Sequence, residues 1–481
     1  MSLYRTQTLS TPRIYAASVS QFLDSAWSRL SEGLVTRTKP MAVKFAKASV
    51  LRMLSKITAG HLIVISLEER YEFGHATSDT TSVTLKVTRD TFWTRLVLFS
   101  DLGLAEAYML GEVECDVSAL LKLVIANRAE LDSTGTIMTS VLAIGRRLTA
   151  LRFLGDLSTS AANISAHYDI GNTLFEAFLS KDMTYSSAIF LDYDEDLSKA
   201  PSSCESLESA QVRKLQNVLR KAQVGPGDRV LEIGTGWGSL SILLAQTVPD
   251  CSIDSVTLSV EQRDLAVARI AAAGLSDRVR VHYMDFRECR ENADWKGAFD
   301  RVISIEMMEH VGQEFIEDFW RVLDWAMKPK SAVGVVQVIT MPEARAASYD
   351  SAGVDFIQKW VLFPGGYLPS LHFLVATMDH GSKGRLTVDS VANIGPHYAR
   401  TLREWKRNFL SNWEGTIAPA LAGEYQLNIQ SLAIFKRKWI CDDYCEAGFA
   451  TRTLGDHVIT FTREGNVGFG CDFEPSSAAI Y

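Results

Sequence analysis

A short apolar strand, Arg229–Ile233, runs directly into Gly234-Thr235-Gly236-Trp237-Gly238, and a helical segment follows over 240–246. Few folds accommodate that succession. Glycines placed right after a strand turn the chain sharply and let backbone approach a ligand, while the helix start behind them offers free N–H groups. The rhythm continues with a strand at 252–258, a helix at 260–273, and strands at Val279–Tyr283, Arg301–Ile305 and 332–339. Parallel strands need crossover helices, so this alternation predicts an α/β fold with a doubly wound, mainly parallel, Rossmann-like sheet. No internal repeat is present.

The glycine loop narrows the ligand. Its spacing is Gly-x-Gly-x-Gly, so the third glycine comes one position too early for the dinucleotide fingerprint. The second strand ends in Val256-Thr257-Leu258-Ser259, with no carboxylate to hold an NAD ribose. Asp285, just after the third strand, has two readings: an acceptor for an adenine amino group, or the cap of a helix or turn. On its own the loop also admits an unliganded tight turn.

With 481 residues the chain is too long for one ordinary core. The organisation expected is an extension over 1–40 rich in Ser and Thr, a smaller α+β domain over 41–150, and the Rossmann-like domain over 160–481. Fifty-seven acids against 49 bases give a net charge of −8, which argues against general nucleic-acid binding. Seven scattered cysteines fit reduced thiols rather than a disulfide framework, and Cys441 with Cys445 lacks the second ligand pair of a zinc site. No metal ligand set is expected. No apolar run approaches the ~18 residues that span a bilayer. Over 41–57, Val43, Ala46, Val50, Met53, Leu54 and Ile57 share one helical face opposite Lys44, Lys47, Arg52 and Lys56. Such a helix either lies on an anionic membrane or packs its apolar face on its own domain, the second being the plainer reading.

Upstream of the glycine loop stand His167-Tyr168-Asp169-Ile170-Gly171-Asn172 and Met183-Thr184-Tyr185-Ser186-Ser187-Ala188. Together with the loop, with Met308-Glu309-His310-Val311-Gly312, with Gly395-Pro396-His397-Tyr398-Ala399-Arg400-Thr401-Leu402 and with Tyr444-Cys445-Glu446-Ala447-Gly448-Phe449, they resemble the cyclopropane-fatty-acyl-phospholipid synthase family over about residues 50–465. The run Asp101-Leu102-Gly103-Leu104-Ala105-Glu106-Ala107-Tyr108-Met109-Leu110-Gly111 resembles that family's N-terminal domain, with structural roles expected for Glu106 and Tyr108. The resemblance implies a class I methyltransferase that uses S-adenosylmethionine to modify the double bond of an acyl chain in a phospholipid, closing a cyclopropane ring. It implies a cytoplasmic protein associated peripherally with the bilayer surface, and it leaves a homodimer open.

Methyl transfer to an alkene leaves a carbocation. The site therefore needs a dry channel, electron-rich groups near the cation, and a base that is not itself methylated. The family resemblance supplies a bound bicarbonate as that base. It assigns Glu309 as the anchoring carboxylate, Tyr398 as the phenol, and Ile339 and Ser187 as backbone contributors. Cofactor contacts implied are Tyr185, Ser186, Gly234, Gly236, Gly238, Thr257, Leu258, Gln262 and Asp285, and Cys445 is a lesser catalytic candidate. His167 would order the segment over the cofactor, and Phe363-Pro364-Gly365-Gly366-Tyr367-Leu368-Pro369-Ser370 would shape an acyl channel or lid. Two positions depart from the bacterial pattern: Ser187 replaces a cysteine and Gln337 a histidine. An amide still donates but cannot titrate near neutral pH. Methyl-branched or methylene-bearing products therefore stay open, as do a small soluble acceptor and, in another class, a lipid carrier without catalysis.

Overall fold

The computed structural model describes residues 40–67, 69–76, 82–132, 171–352, 366–424, 427–441 and 443–470. His167 to Ile170, Phe363 to Gly365 and residues 1–39 of the expected extension lie outside them.

The N-terminal unit is a four-stranded sheet with helices on it. Helix α1 (Pro40–Leu54) precedes β1 (His61–Ser66), β2 (Glu69–Gly74) and β3 (Ser82–Val87); α2 (Thr91–Met109), β4 (Val113–Glu114) and α3 (Val117–Ala126) follow. The strand order is β2-β1-β3-β4, with β1 and β3 parallel and the other neighbours antiparallel. Ala46, Val50 and Leu54 of α1 are buried with Leu62, Val64, Leu85 and Trp93, so its apolar face packs on its own domain. Lys47 is tied to Glu69, while Lys44 and Arg52 stay exposed. Strand β2, Glu-Arg-Tyr-Glu-Phe-Gly, escapes a reading by hydrophobic pattern because it is an edge strand open to water.

The second sheet is the predicted parallel one, extended by an antiparallel edge. In chain order come α4 (Gly171–Phe178), α5 (Leu207–Ala222), β5 (Arg229–Ile233), α6 (Ser239–Thr247), β6 (Ser252–Thr257), α7 (Val260–Ala272), β7 (Val279–Tyr283), β8 (Arg301–Ile305), α8 (Ile316–Ala326) and β9 (Val333–Thr340). Then follow α9 (Leu371–Ser382), β10 (Leu386–Asn393), α10 (Gly395–Asn412), α11 (Ile429–Ile440), α12 (Asp443–Ala450) and β11 (Gly455–Arg463). The order is β10-β11-β9-β8-β5-β6-β7, parallel from β9 through β7, with β11 antiparallel to both its neighbours. Glycine in a central strand weakens it, yet Gly334 in β9 is required: a Cβ there would lie 2.1 Å from the ring of Phe461 on β11. That ring fills the core beside Trp320.

The two units touch through α3 and α12. Glu446 accepts hydrogen bonds from Ser118 and, at 2.9 Å, from Lys122, while Arg437 on α11 donates to the carbonyl oxygen of Tyr108 at 3.0 Å. Inside the N-terminal unit, buried Arg95 donates twice to Glu112 at 3.0 Å and lies 3.5 Å from Glu106. Glu106 is thus structural, as expected. Removing one member of a buried ion cluster strands the remaining charges. Arg95→Ala should therefore cost about 3–5 kcal/mol, visible as an earlier first transition in urea denaturation.

Candidate active site

The ends of β5, β6 and β8 open on a pocket lined by Tyr185, Ser186, Glu232, Gly234, Gly236, Trp237, Thr257, Leu258, Gln262, Met284, Phe286, Glu306 and His310. This is the carboxyl edge of a parallel sheet, where open α/β folds bind ligands. Gly238 begins α6 with φ +87°, and a Cβ there would come 3.3 Å from that of Ala266 on α7, so it serves helix packing rather than lining the pocket. The upstream motif braces the loop: Asn172 Oδ1 accepts from Trp237 Nε1 at 2.9 Å, and Ser239 donates to the carbonyl of Asp182. Thr257 and Gln262 bond each other at 3.1 Å across the second strand–helix turn.

Those groups fit S-adenosylmethionine, which when bound supplies an electrophilic methyl. Glycine backbone and the Thr257–Gln262 turn offer hydrogen bonds, and Val256, Met284 and Phe286 offer an apolar wall for a flat ring. Glu232, unremarked within the loop motif, is the carboxylate available to an α-ammonium. It is buried, accepts from Ser241 and Ser255 at 2.5 Å each, and is pushed up to about 7 by burial.

Asp285 belongs to the other of its two readings. It caps the turn at 286–291, takes two 2.8 Å bonds from Arg287, and is absent from the pocket lining. A carboxylate turned to its own cap and to Arg287 does not face the cofactor pocket. Cys445 likewise sits in the aromatic cluster behind the site, one turn before Phe449, and does not line the pocket.

Deeper in, three acids converge. Glu306 follows β8 with φ +48° and is partly covered, because it faces the pocket. Its Oε1 accepts from the Ser187 backbone N–H at 2.9 Å and from Gln337 Nε2 at 2.7 Å, and its Oε2 from the Tyr398 hydroxyl at 2.7 Å. The second proton of Gln337 Nε2 goes to Asp456 Oδ2 at 2.9 Å. Glu309 Oε1 accepts from the Ile339 N–H at 2.5 Å, while its Oε2 is buried with no hydrogen-bond partner among the described residues. Burial first, and then the charge of Glu306, pushes Glu309 up to about 8 and holds Asp456 well above the usual carboxylate range. Burial also raises Glu306, opposed by the Ser187 N–H, by Lys214 and by Tyr398. Lys214, fully buried and 2.5 Å from Ser186 Oγ, is pushed down to about 8 by desolvation. Among the described residues no group of three or more His, Cys, Asp or Glu side chains is arranged to hold a metal.

Glu309, Ser187, Ile339, Gln337 and Tyr398 therefore do come together, and the Ser187 contact is a backbone N–H that any side chain preserves. The bicarbonate they were expected to hold does not fit. Three of the five groups already donate to Glu306, and a further anion would meet the Glu306 carboxylate with those donors taken. Glu306, Asp456, Lys214 and Glu232 were missed. Glu306 had a signal: it is the first residue after a parallel strand, where ligand-facing groups emerge.

The sheet order, the glycine loop and the pocket at its carboxyl edge define a class I S-adenosylmethionine-dependent methyltransferase. Residues 156–432 match the model of the mycolic acid cyclopropane synthetase family, and the chain belongs to that family. It is 34% identical over 435 residues to the tuberculostearic acid methyltransferase of Mycobacterium tuberculosis, covering 87% of this chain and 92% of that one. It is 29% identical over 398 residues to the cyclopropane-fatty-acyl-phospholipid synthase of Escherichia coli, covering 81% and 90%. In fold it is similar to a cyclopropane synthase of Mycobacterium tuberculosis, with TM-score 0.51, 23% identity and coverage of 64% of this chain and 99% of that one. It is also similar in fold to a coclaurine N-methyltransferase, with TM-score 0.55, 19% identity and coverage of 75% and 99%.

Below about pH 7 the Glu232 carboxyl is protonated and offers no charge to an ammonium, so cofactor affinity should fall as the pH drops. Titration calorimetry with S-adenosylhomocysteine should show affinity falling by up to about tenfold per pH unit below 7, the limit for one proton. Glu232→Gln should bind weakly with a flat profile.

Proposed function

We propose that this enzyme transfers a methyl group from S-adenosylmethionine to the double bond of an unsaturated acyl chain carried by a phospholipid. The observation that carries this reading is the aromatic cluster that joins Tyr185 of the cofactor pocket to Tyr398, the phenol bonded to Glu306. The Tyr185 ring lies 5.2 Å from Trp405 and 5.3 Å from Phe175, and Tyr398 stacks on Phe449 at 4.5 Å. Such faces stabilise a carbocation without competing for the methyl, whereas an amine or hydroxyl acceptor would not need them. Two relatives whose names refer to fatty acyl products, at 34% and 29% identity, support an acyl chain as acceptor.

Ring closure is the product we favour. Methylene formation is a second reading, supported by the relative named for tuberculostearic acid and by Gln337 in place of a titratable group. In both, the proton leaves the newly added methyl. A ring forms when the C–H pair closes on the cationic carbon. A methylene forms when the hydride on the methylated carbon migrates first.

Access from a bilayer is supported by Met41 and Phe45 of α1, 83% and 68% exposed beside Lys44 and Arg52, and no helix among the described residues is long and apolar enough to cross a membrane. Reversing Lys44 and Arg52 to Glu should weaken sedimentation with anionic vesicles and flatten its salt dependence.

Purified enzyme should turn over labelled S-adenosylmethionine on vesicles of monounsaturated phospholipid. Cyclopropane protons in the product NMR are the expected result, and vinylidene protons would select the second reading. Cofactor turnover on a soluble acceptor with no lipid product would overturn the proposal.

A further inference from the structure

We propose that the Glu306 carboxylate is the resident base of the reaction, standing where a diffusible bicarbonate would otherwise be held. The inference rests on the proposed function for the identity of the cation, but not for the state of the anion site.

Three observations carry it. First, the Ser187 N–H, the Gln337 amide and the Tyr398 hydroxyl all point at the one carboxylate, at 2.9, 2.7 and 2.7 Å. Second, Glu306 adopts φ +48°, a left-handed conformation that is unfavourable for a side-chain-bearing residue and suits glycine. A carboxylate is therefore kept there against the local backbone preference. Third, of the three acids only Glu306 lines the cofactor pocket.

The same contacts account for its selectivity. An ionised carboxylate has about four acceptor positions. Two on Oε1 and one on Oε2 are filled by these donors, and the Asp456 carboxyl lies within hydrogen-bond reach of the same group, so Oε2 is the less engaged oxygen, with at most one position open. Engaged oxygens are poor nucleophiles toward a sulfonium methyl, yet the remaining position accepts a proton. Burial and the charge of Glu306 raise both Asp456 and Glu309, and the Ser187, Gln337 and Tyr398 donors make Glu306 the best place among the three for a negative charge.

The step balances. The alkene π pair makes the new C–C bond as the C–S bond breaks, its electron pair remaining on sulfur. The chain is left with one positive charge. A C–H bond of the added methyl then breaks, its pair closing the third ring bond, or the exocyclic double bond after hydride migration. The proton goes to Glu306 Oε2 and returns to solvent after product release.

The test has two arms. With 13C-labelled bicarbonate and NMR line broadening, wild-type protein should show no saturable binding, whereas Glu306→Gly, which empties the site and relieves the backbone, should gain it. Saturable millimolar binding to wild type would overturn the proposal whatever the substrate proves to be. In the second arm, turnover on unsaturated phospholipid vesicles is followed in CO2-free buffer. Wild-type turnover should be unchanged by added bicarbonate. Glu306→Gln, with folding verified by S-adenosylhomocysteine binding, should lose about 10²-fold or more, and Glu306→Gly should recover part of its loss with bicarbonate. A wild-type rate that needs bicarbonate, or a Glu306→Gln rate within threefold of wild type, would overturn the proposal. Absence of any wild-type lipid product would instead count against the substrate reading, and the binding arm would still decide the base.

Discussion

The amide of Gln337 holds this active site together. Two carboxylates, Glu306 and Asp456, sit on either side of β9, and their mutual repulsion in a buried setting would drive them apart or force one of them to take up a proton. One NH2 group bridges them, giving each acid a single hydrogen. A neutral imidazole has only one N–H to give, so it could serve one acid and not both. The bridge depends on register. Gln337 pairs with Ile305 on β8 and with Val458 on β11, which puts Glu306 one residue beyond one partner and Asp456 two residues short of the other. A slip of one residue in β9 would turn Gln337 to the opposite face of the sheet and expose two uncompensated acids.

Around that bridge the rest of the molecule arranges donors and walls. Helix α10 brings Tyr398 to Glu306 and Trp405 to Tyr185, and α12 stacks Phe449 on Tyr398. On the same helix α12, Glu446 reaches the other way, to Ser118 and Lys122 of the N-terminal unit and to Arg403 of α10. One two-turn helix thus braces the phenol of the site and anchors the unit whose exposed Met41 and Phe45 are proposed to meet lipid.

Most of the parallel sheet was legible, because β5 to β9 are short apolar runs separated by helical segments and their boundaries fall within a residue or two of expectation. The glycine loop was legible for the same reason, being local, whereas Thr257 and Gln262 were named only through the family resemblance. Edge strands β2 and β10 were not, since alternating exposure dilutes their pattern. Asp285 shows the limit of local reading: a carboxylate between strand and helical turn serves a ligand or caps the turn with the same sequence around it, and only the Arg287 contact separates the two. The acid cluster exposes a different limit. Glu306 and Asp456 lie 150 residues apart in the chain, one after a parallel strand and one inside an antiparallel strand added at the edge of the parallel block, so no spacing links them.

A tethered base changes what decides the product. An exchangeable anion can settle wherever the cation leaves room, but the free acceptor position of Glu306 is fixed by Ser187, Gln337 and Tyr398. Ring closure and methylene formation both give up a proton from the added methyl, so the identity of the base does not select between them. The selection lies in time: a methyl presented directly to Oε2 loses its proton before the neighbouring hydride moves, and one held away leaves the cation long enough to rearrange. On the proposed mechanism the placement of the acyl chain relative to Oε2, rather than the identity of the base, would carry the product specificity. Changes in the acyl-facing wall, rather than in the acids, are the route by which this scaffold would turn from one product to the other.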